Sequence, residues 1–175
     1  MSVYTEKVYE VQNNMDKGYV QVFCGTGDGK SSAAIGKGLF AAIQGKDVIV
    51  VQFMKERNEN ETLFFQRLEP EIKLFRFEKS ETCFHELSDS EKQDEIINIK
   101  NGLNYAKKVL TVGECDILIL DEVLGLIDEG IIEWQEMQEL LEARSEETSV
   151  FVTGIVLPEE LVPYVDFISK IESVE

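Results

Sequence analysis

The residues with the clearest chemical potential form one glycine-rich segment, Gly25-Thr26-Gly27-Asp28-Gly29-Lys30-Ser31. It lies between a stretch rich in β-formers and apolar residues at helical spacing, which is the context of a phosphate-binding loop. Glycines permit close backbone approach, and N–H groups of the loop and the helix N-terminus can point at phosphates. Lys30 would add a positive charge, and the Ser31 hydroxyl can ligate Mg²⁺. The segment predicts binding of a nucleoside triphosphate with Mg²⁺, although Cys24 stands where the strict pattern has its first glycine.

A pair of acids supplies the second chemical element. The apolar run 117–121 (ILILD) ends at Asp121, and Glu122 follows directly. An aspartate at the end of a buried strand is placed as the acid that organises Mg²⁺ in P-loop proteins. Ligands of open α/β sheets bind at the carboxyl ends of the strands, so we expect Ser31, Asp121 and Glu122 to share one metal site. Loop and acids together define the ligand class, but they do not decide the reaction.

Strand-like and helix-like segments alternate along the chain and must position these residues. Ser88 and Glu91 form a capping-box pattern before a long helix, while 55–61 is a polar stretch and 78–87 has the character of a loop. Further helices are expected at 31–44, around Trp134 and after Pro158. Strands are expected at 19–24, 47–53, 72–77, 115–120, 148–153 and 167–171. This alternation predicts an α/β fold of the P-loop (RecA-like) type, with a mostly parallel sheet and helices on both faces. It would form a single domain over 19–175, preceded by an arm over 1–18.

Composition and charge exclude several functions. The 17 basic and 34 acidic residues give a formal charge of −17, and no basic stripe is present, which argues against nucleic-acid binding. No apolar run approaches eighteen residues and the N-terminus does not resemble a signal peptide, so we expect a cytoplasmic protein without a membrane span. Three separated cysteines and a single histidine, His85, leave no credible zinc site and little scope for a Ser/His/Asp triad.

Four motifs, in the expected order and spacing, resemble the P-loop corrinoid adenosyltransferases (ATP:cob(I)alamin adenosyltransferase). The family's phosphate loop, which also lacks the first glycine, is similar to 25–34. Its V-Q-F-x-K motif is similar to 51–55, and its L-D-E motif to 120–122 with the glycine at 130. Its T-G-x-x-x-P-E-E-L motif is similar to 153–161. The resemblance runs from about Tyr19 to Ile171, which is most of the chain.

The resemblance implies transfer of the 5′-deoxyadenosyl group of ATP to the cobalt of a reduced corrinoid, with release of triphosphate. Phe84 would belong to an apolar pocket that keeps a lower axial ligand from cobalt, and Lys30 would act on the phosphates. These two are the predicted catalytic residues. The resemblance also implies a homodimer and leaves room for a partner reductase. The residues expected to hold ATP are Gly25, Thr26, Gly27, Asp28, Gly29, Lys30, Ser31, Ser32 and Lys55.

Three departures from the family pattern keep two other functions open. Asp28 replaces a lysine of the loop, Ile155 stands where an arginine usually follows Thr-Gly, and Cys83 replaces the glycine before the pocket phenylalanine. A carboxylate about 5 Å from a phosphate charge would cost roughly 3 kcal/mol at an effective dielectric near 20, unless it turns outward. One alternative is therefore an ATP-binding paralogue that regulates or carries a corrinoid without transfer. The other is an ATPase or phosphotransferase in which Glu122 orients water.

Overall fold

The architecture is a six-stranded parallel sheet covered by helices, as described by a computed structural model over residues 17–55, 58–82 and 84–174. The predicted arm therefore lies outside the described residues up to position 16. The sheet has the order β3-β2-β4-β5-β1-β6, and each neighbouring pair is parallel. The strands are β1 Val20–Cys24, β2 Val48–Gln52, β3 Ile72–Arg76, β4 Ile117–Asp121, β5 Ser149–Thr153 and β6 Phe167–Lys170. The predicted α/β class and parallel sheet are confirmed.

Helices lie on both faces of the sheet, as alternation along β4 illustrates. Ile117 and Ile119 pack in one apolar cluster with α1 and α2, whereas Leu118 and Leu120 pack in another with α3 and α5. A strand buried on both faces must be apolar at every position, which explains the continuous run. The helices are α1 Lys30–Ile43, α2 Glu59–Gln66, α3 Asp89–Val112, α4 Gly125–Asp128 and α5 Trp134–Glu142, with 3₁₀ turns at Phe84–Glu86 and Glu159–Tyr164.

The strand order separates the phosphate loop from the acids by one strand. β5 lies between β1, which leads into the loop, and β4, which ends in Asp121. Two strand spacings of about 4.8 Å therefore separate β1 from β4. The last residue of β5 is consequently a neighbour of both elements.

The capping-box pattern predicted the start of the long helix correctly, whereas a short helix was not predicted and the type of another was wrong. The capping box forms as expected, since the Ser88 hydroxyl accepts from Glu91 N and the Glu91 carboxylate accepts from Ser88 N. The predicted polar stretch is wrong in part, because α2 begins at Glu59 after Asn58 caps it. Only Phe65 of this eight-residue helix is buried, so it lacks a periodic apolar stripe. The expected helix after Pro158 is a 3₁₀ turn.

Candidate functional site

The phosphate loop is held against two neighbouring segments by its own glycines. Gly25 has a φ of 117°, and a Cβ at this position would lie 2.2 Å from the Ile171 carbonyl oxygen, so only glycine fits. Gly25 N–H donates to the Ile155 oxygen and Gly27 N–H to the Ile171 oxygen, both at 2.9 Å. These two amides are therefore used within the protein and do not point at a phosphate, in contrast to the expectation for the whole loop.

The amides that stay available lie at the start of α1. Gly29, with a φ of 99°, precedes the helix, and the first helical hydrogen bond runs from Ala33 N to the Gly29 oxygen at 2.8 Å. The N–H groups of Lys30, Ser31 and Ser32 precede this bond, so helix geometry leaves them free for an anion. The Lys30 ammonium group donates to the Gly27 oxygen at 2.8 Å, which places its charge over the loop.

Two further residues of the predicted loop are exposed. Thr26 and Asp28 both lie at the surface. Within the described residues, the Asp28 side chain forms no hydrogen bond and no ion pair. Its carboxylate is therefore exposed to solvent, and the high dielectric constant of water weakens its repulsion of a phosphate.

Asp121 is fully buried and is bonded from both sides by residues at the ends of neighbouring strands. Its Oδ1 accepts from Thr153 Oγ1 at 2.9 Å, and its Oδ2 accepts from Gln52 Nε2 at 3.1 Å. Gln52 pairs with Asp121 in the sheet register, and Thr153 ends β5 on the other side. Lys55 Nζ lies 3.5 Å from Oδ2 and supplies a positive charge. A buried carboxylate is tolerated because it has these partners.

Glu122 is held in a left-handed backbone conformation, which is unfavourable for residues other than glycine. Its φ is 59°, and its N–H donates to Thr153 Oγ1 at 2.7 Å. Burial and the neighbouring Asp121 raise the pKa of Glu122, while the charges of Lys30 and Lys55 oppose that rise. The end of β5 joins the acids to the strand that leads into the loop, because Thr153 contacts both acids and the next residue, Gly154, donates its N–H to the Phe23 oxygen of β1 at 3.3 Å. A triphosphate could span this region.

A polar network extends from Asp121 to the edge strand β3. Arg76, the last residue of β3, donates through Nε to Gln52 Oε1 and through Nη2 to Glu61 Oε2, both at 2.6 Å. Lys55 Nζ lies 3.5 Å from Glu61 Oε1. Burial alone would raise the pKa of Glu61, but the hydrogen bond from Gln52 and the charges of Lys55 and Arg76 hold it below its ordinary value. The network fixes the orientation of Gln52, and through it that of Asp121.

The predicted Mg²⁺ ligands suit the ion when a nucleotide is present. The described residues contain no cluster of three or more His, Cys, Asp or Glu side chains that could enclose a metal. Mg²⁺ usually keeps several waters and binds one or two carboxylates together with phosphates. Asp121 and Glu122 form a carboxylate pair in which burial and the charge of Asp121 raise the pKa of Glu122, and a bound cation would relieve both effects. With Ser31 at the start of α1 they provide the oxygen donors that Mg²⁺ prefers.

Phe84 lies apart from the phosphate loop, in the 3₁₀ turn that follows β3. Its ring is half-buried against the core, and Lys92 Nζ lies 5.9 Å from its centroid. It lines a cavity of about 10 Å³ that Lys55 also lines. Such a space is no larger than one water, so a macrocycle could not occupy it without movement. Cys83, the neighbouring departure from the family pattern, lies outside the described residues.

Cavity size alone would point elsewhere on the molecule. A cavity of about 710 Å³, much larger than the one beside Phe84, is lined by Tyr19 and Phe167 at the beginnings of β1 and β6. That is the end of the sheet opposite the phosphate loop. The convergence of loop amides, lysines and acids identifies the site better than volume does, because ligands of parallel sheets bind at the carboxyl ends.

Sequence reasoning assigned no role to four residues of this network, Gln52, Glu61, Arg76 and Thr153, although Gln52 and Thr153 lie in two of the family motifs. Three of them, Gln52, Arg76 and Thr153, are the last residues of their strands. A polar residue that ends an apolar strand was a usable signal for them. Glu61 lies in α2, the helix that was not predicted, so nothing indicated its position.

The fold and the site together define a P-loop nucleotide-binding protein. The sequence matches the model of the family described as ATP:corrinoid adenosyltransferase BtuR/CobO/CobP over residues 16–175. The chain belongs to this family. No helix of the described part is long and apolar enough to traverse a bilayer.

Similar proteins carry the family name. The corrinoid adenosyltransferase of Escherichia coli K12 is 26% identical over 166 residues, which cover 91% of this chain and 79% of that protein. The corrinoid adenosyltransferase of Salmonella typhimurium LT2 is 27% identical over 170 residues, which cover 94% and 81%. Among solved structures, a KaiC-like protein of Pyrococcus horikoshii is 17% identical with a TM-score of 0.49, covering 80% of this chain and 64% of that one.

Proposed function

We propose that this protein transfers the 5′-deoxyadenosyl group of ATP to the cobalt of a reduced corrinoid. One observation supports the proposal most strongly. The strand that leads into the phosphate loop and the Asp121–Glu122 pair are joined through the end of β5, in a chain whose family is named for this reaction. Cobalt in the +1 state would attack the ribose C5′, the C5′–O bond would break, and triphosphate would leave with the bond's electron pair.

The chemistry needs positioning more than proton transfer. Cobalt in the +1 state is itself a strong nucleophile, so the protein requires no general base. That suits a chain with one histidine, His85, which is exposed. Lys30 and the first amides of α1 would stabilise the charge that develops on the departing triphosphate. Mg²⁺ bound by Ser31, Asp121 and Glu122 would neutralise further phosphate charge.

Phe84 would serve the corrinoid side of the reaction. An apolar side chain near the lower face of the macrocycle disfavours an axial ligand and makes the +1 state of cobalt accessible. Because the cavity beside Phe84 is small, the 3₁₀ turn would have to move when a corrinoid binds. Phe84→Ala should slow the reaction when it starts from oxidised corrinoid, yet spare transfer to cobalt that is already reduced.

The direct experiment is anaerobic incubation with MgATP and chemically reduced corrinoid. The expected products are a light-sensitive carbon–cobalt species and one equivalent of triphosphate. ADP with phosphate would instead support the ATPase or phosphotransferase. Tight ATP binding without turnover would support the paralogue that regulates or carries a corrinoid, a function suggested by Asp28 and Ile155 at positions where the family pattern has basic residues.

The metal role has its own test. Asp121→Asn removes the charge but nearly keeps the shape and the bond to Thr153, so Mg²⁺ dependence of ATP binding should be lost or strongly displaced. An unaltered Mg²⁺ titration would move the metal site elsewhere. The homodimer, the partner reductase and the cytoplasmic setting stay predictions; light scattering of the purified chain would test the first.

A further inference from the structure

The backbone just after β2 has an unusual conformation that one carboxylate holds. Met54 has a φ of 53°, a left-handed region that a long side chain disfavours. Its N–H donates to Glu78 Oε1 at 2.7 Å. A bond from an amide to an ionised carboxylate is stronger than one to a neutral acceptor. Met54 also comes directly before Lys55, which contacts the buried Asp121, so its conformation decides where Lys55 points.

Glu78 is itself anchored to the helix beneath it. Its two successors donate to Glu95 of α3: Lys79 N lies 3.0 Å from Oε1 and Ser80 N lies 2.7 Å from the same oxygen. Glu95 is only 6% exposed, which makes it a rigid support for this turn. A continuous chain of contacts therefore runs from α3 through the turn and the Glu78 side chain to Met54 and Lys55.

The same turn leads to the corrinoid side of the proposed site. Met54, Glu78 and Phe84 line one small cavity together with Lys55. Glu78 thus stands between a residue expected to contact ATP and the residue expected to contact the corrinoid.

The charges around Glu78 make its ionisation sensitive to pH. Glu95 faces it from α3, Arg76 from β3 and Lys55 from the segment after β2, and Lys79 is its neighbour in the turn. Burial raises the pKa of Glu78 to about 7, the bond from Met54 N opposes that rise, the charge of Glu95 adds to it and the charge of Arg76 reduces it. The carboxyl group therefore changes charge near neutral pH.

We propose that Glu78 is a positioning residue, whose ionised carboxylate holds Met54 and thereby aims Lys55 into the nucleotide site. This inference rests on the proposed function for its role in catalysis, but its effect on nucleotide binding does not require transfer. If only the ionised form is competent, the apparent affinity scales with the ionised fraction. A group with a pKa of about 7 then makes affinity about tenfold higher at pH 8 than at pH 6.

The test is calorimetric titration of MgATP at pH 6 and pH 8. Glu78→Gln keeps the shape and an oxygen acceptor but removes the charge, so it should bind more weakly than the wild type at both pH values, with a deficit about tenfold larger at pH 8 than at pH 6. Glu78→Asp, which retains a carboxylate, should recover part of the pH dependence. Glu81→Gln is the matched control, because Glu81 is an exposed carboxylate of the same turn and should behave as wild type. Because Glu81→Gln binds the same nucleotide, it also controls for the change in protonation of ATP between pH 6 and pH 8.

The inference would be overturned if the MgATP affinity of the wild type and that of Glu78→Gln changed equally with pH, or if Glu81→Gln lost as much affinity as Glu78→Gln. Hydrogen exchange at the Met54 amide, corrected for intrinsic rates, gives a second reading without nucleotide. Protection should fall from pH 8 to pH 6 in the wild type and stay constant in Glu78→Gln; equal behaviour would count against Glu78. Failure of the proposed function is seen separately, because adenosyl transfer would then be absent while the pH dependence of binding persists.

Discussion

The hydroxyl of Thr153 joins the two acids, and its removal gives a sharp test of the site. Thr153 is fully buried; it donates to Asp121 Oδ1 at 2.9 Å and accepts from Glu122 N at 2.7 Å. Thr153→Val keeps the volume and removes both bonds. Asp121 retains Gln52 and Lys55 as partners, whereas the Glu122 N–H would lose the acceptor that it has here.

The expected cost follows from these two losses. Leaving a buried polar group without its partner costs about 1–3 kcal/mol, so Thr153→Val should destabilise the protein by about 2–4 kcal/mol. Without the Thr153 hydroxyl as acceptor, the backbone of Glu122 would also tend to leave the left-handed conformation. ATP affinity should then fall, because the Glu122 carboxylate would be displaced. With a urea m-value of roughly 2 kcal/mol/M, the unfolding midpoint should move down by about 1–2 M.

Equilibrium urea unfolding provides the measurement, followed by circular dichroism and by the fluorescence of Trp134, the single tryptophan. Thr153→Ser is the control, because it keeps the hydroxyl and loses only a methyl group, for which about 1 kcal/mol is expected. The reasoning would be refuted if the valine variant lay within about 0.5 kcal/mol of the wild type, a change typical of an unremarkable substitution. Equal losses in the two variants would also contradict the reasoning, because the serine variant keeps the hydroxyl and both of its hydrogen bonds.

Three other substitutions test the phosphate loop and the carboxylate of Glu78. Lys30→Ala should weaken MgATP binding at least tenfold without unfolding the chain, since it deletes a charge over the loop; equal affinities by calorimetry would remove Lys30 from the site. Asp28→Lys should raise ATP affinity about three- to tenfold at low ionic strength and by less in salt, whereas an unchanged affinity would make the exposed Asp28 harmless. Glu78→Gln should stabilise the fold at pH 8 by up to roughly 3 kcal/mol, because a pKa of about 7 in place of 4.5 means that stability is lost as pH rises through that range. The gain should vanish near pH 4 in urea unfolding, and a gain independent of pH would contradict the assignment.

Local sequence determined the kind of fold and the class of ligand. The apolar run ending in Asp121 predicted a buried strand, and the capping box at Ser88 predicted where the long helix begins. The glycine-rich segment could be recognised because strand, loop and helix are adjacent in the chain. Each of these features depends on residues within a few positions of one another, where propensity and periodicity act directly.

Strand order was decided only by the tertiary structure. The insertion of β5 between β1 and β4 places Thr153 beside Asp121, although 32 positions separate them in the chain. The glycine at position 25 is required because the carbonyl of Ile171 approaches it, which no local pattern records.

Pairings between distant segments also created the Arg76–Glu61–Gln52 network and the bond from Met54 to Glu78. Their energies arise only once the sheet has assembled, since long-range contacts depend on which strands become neighbours rather than on the period of any one segment. The sequence by itself therefore determined the loop, the acids and the layered architecture. The tertiary structure decided which side chains orient those acids.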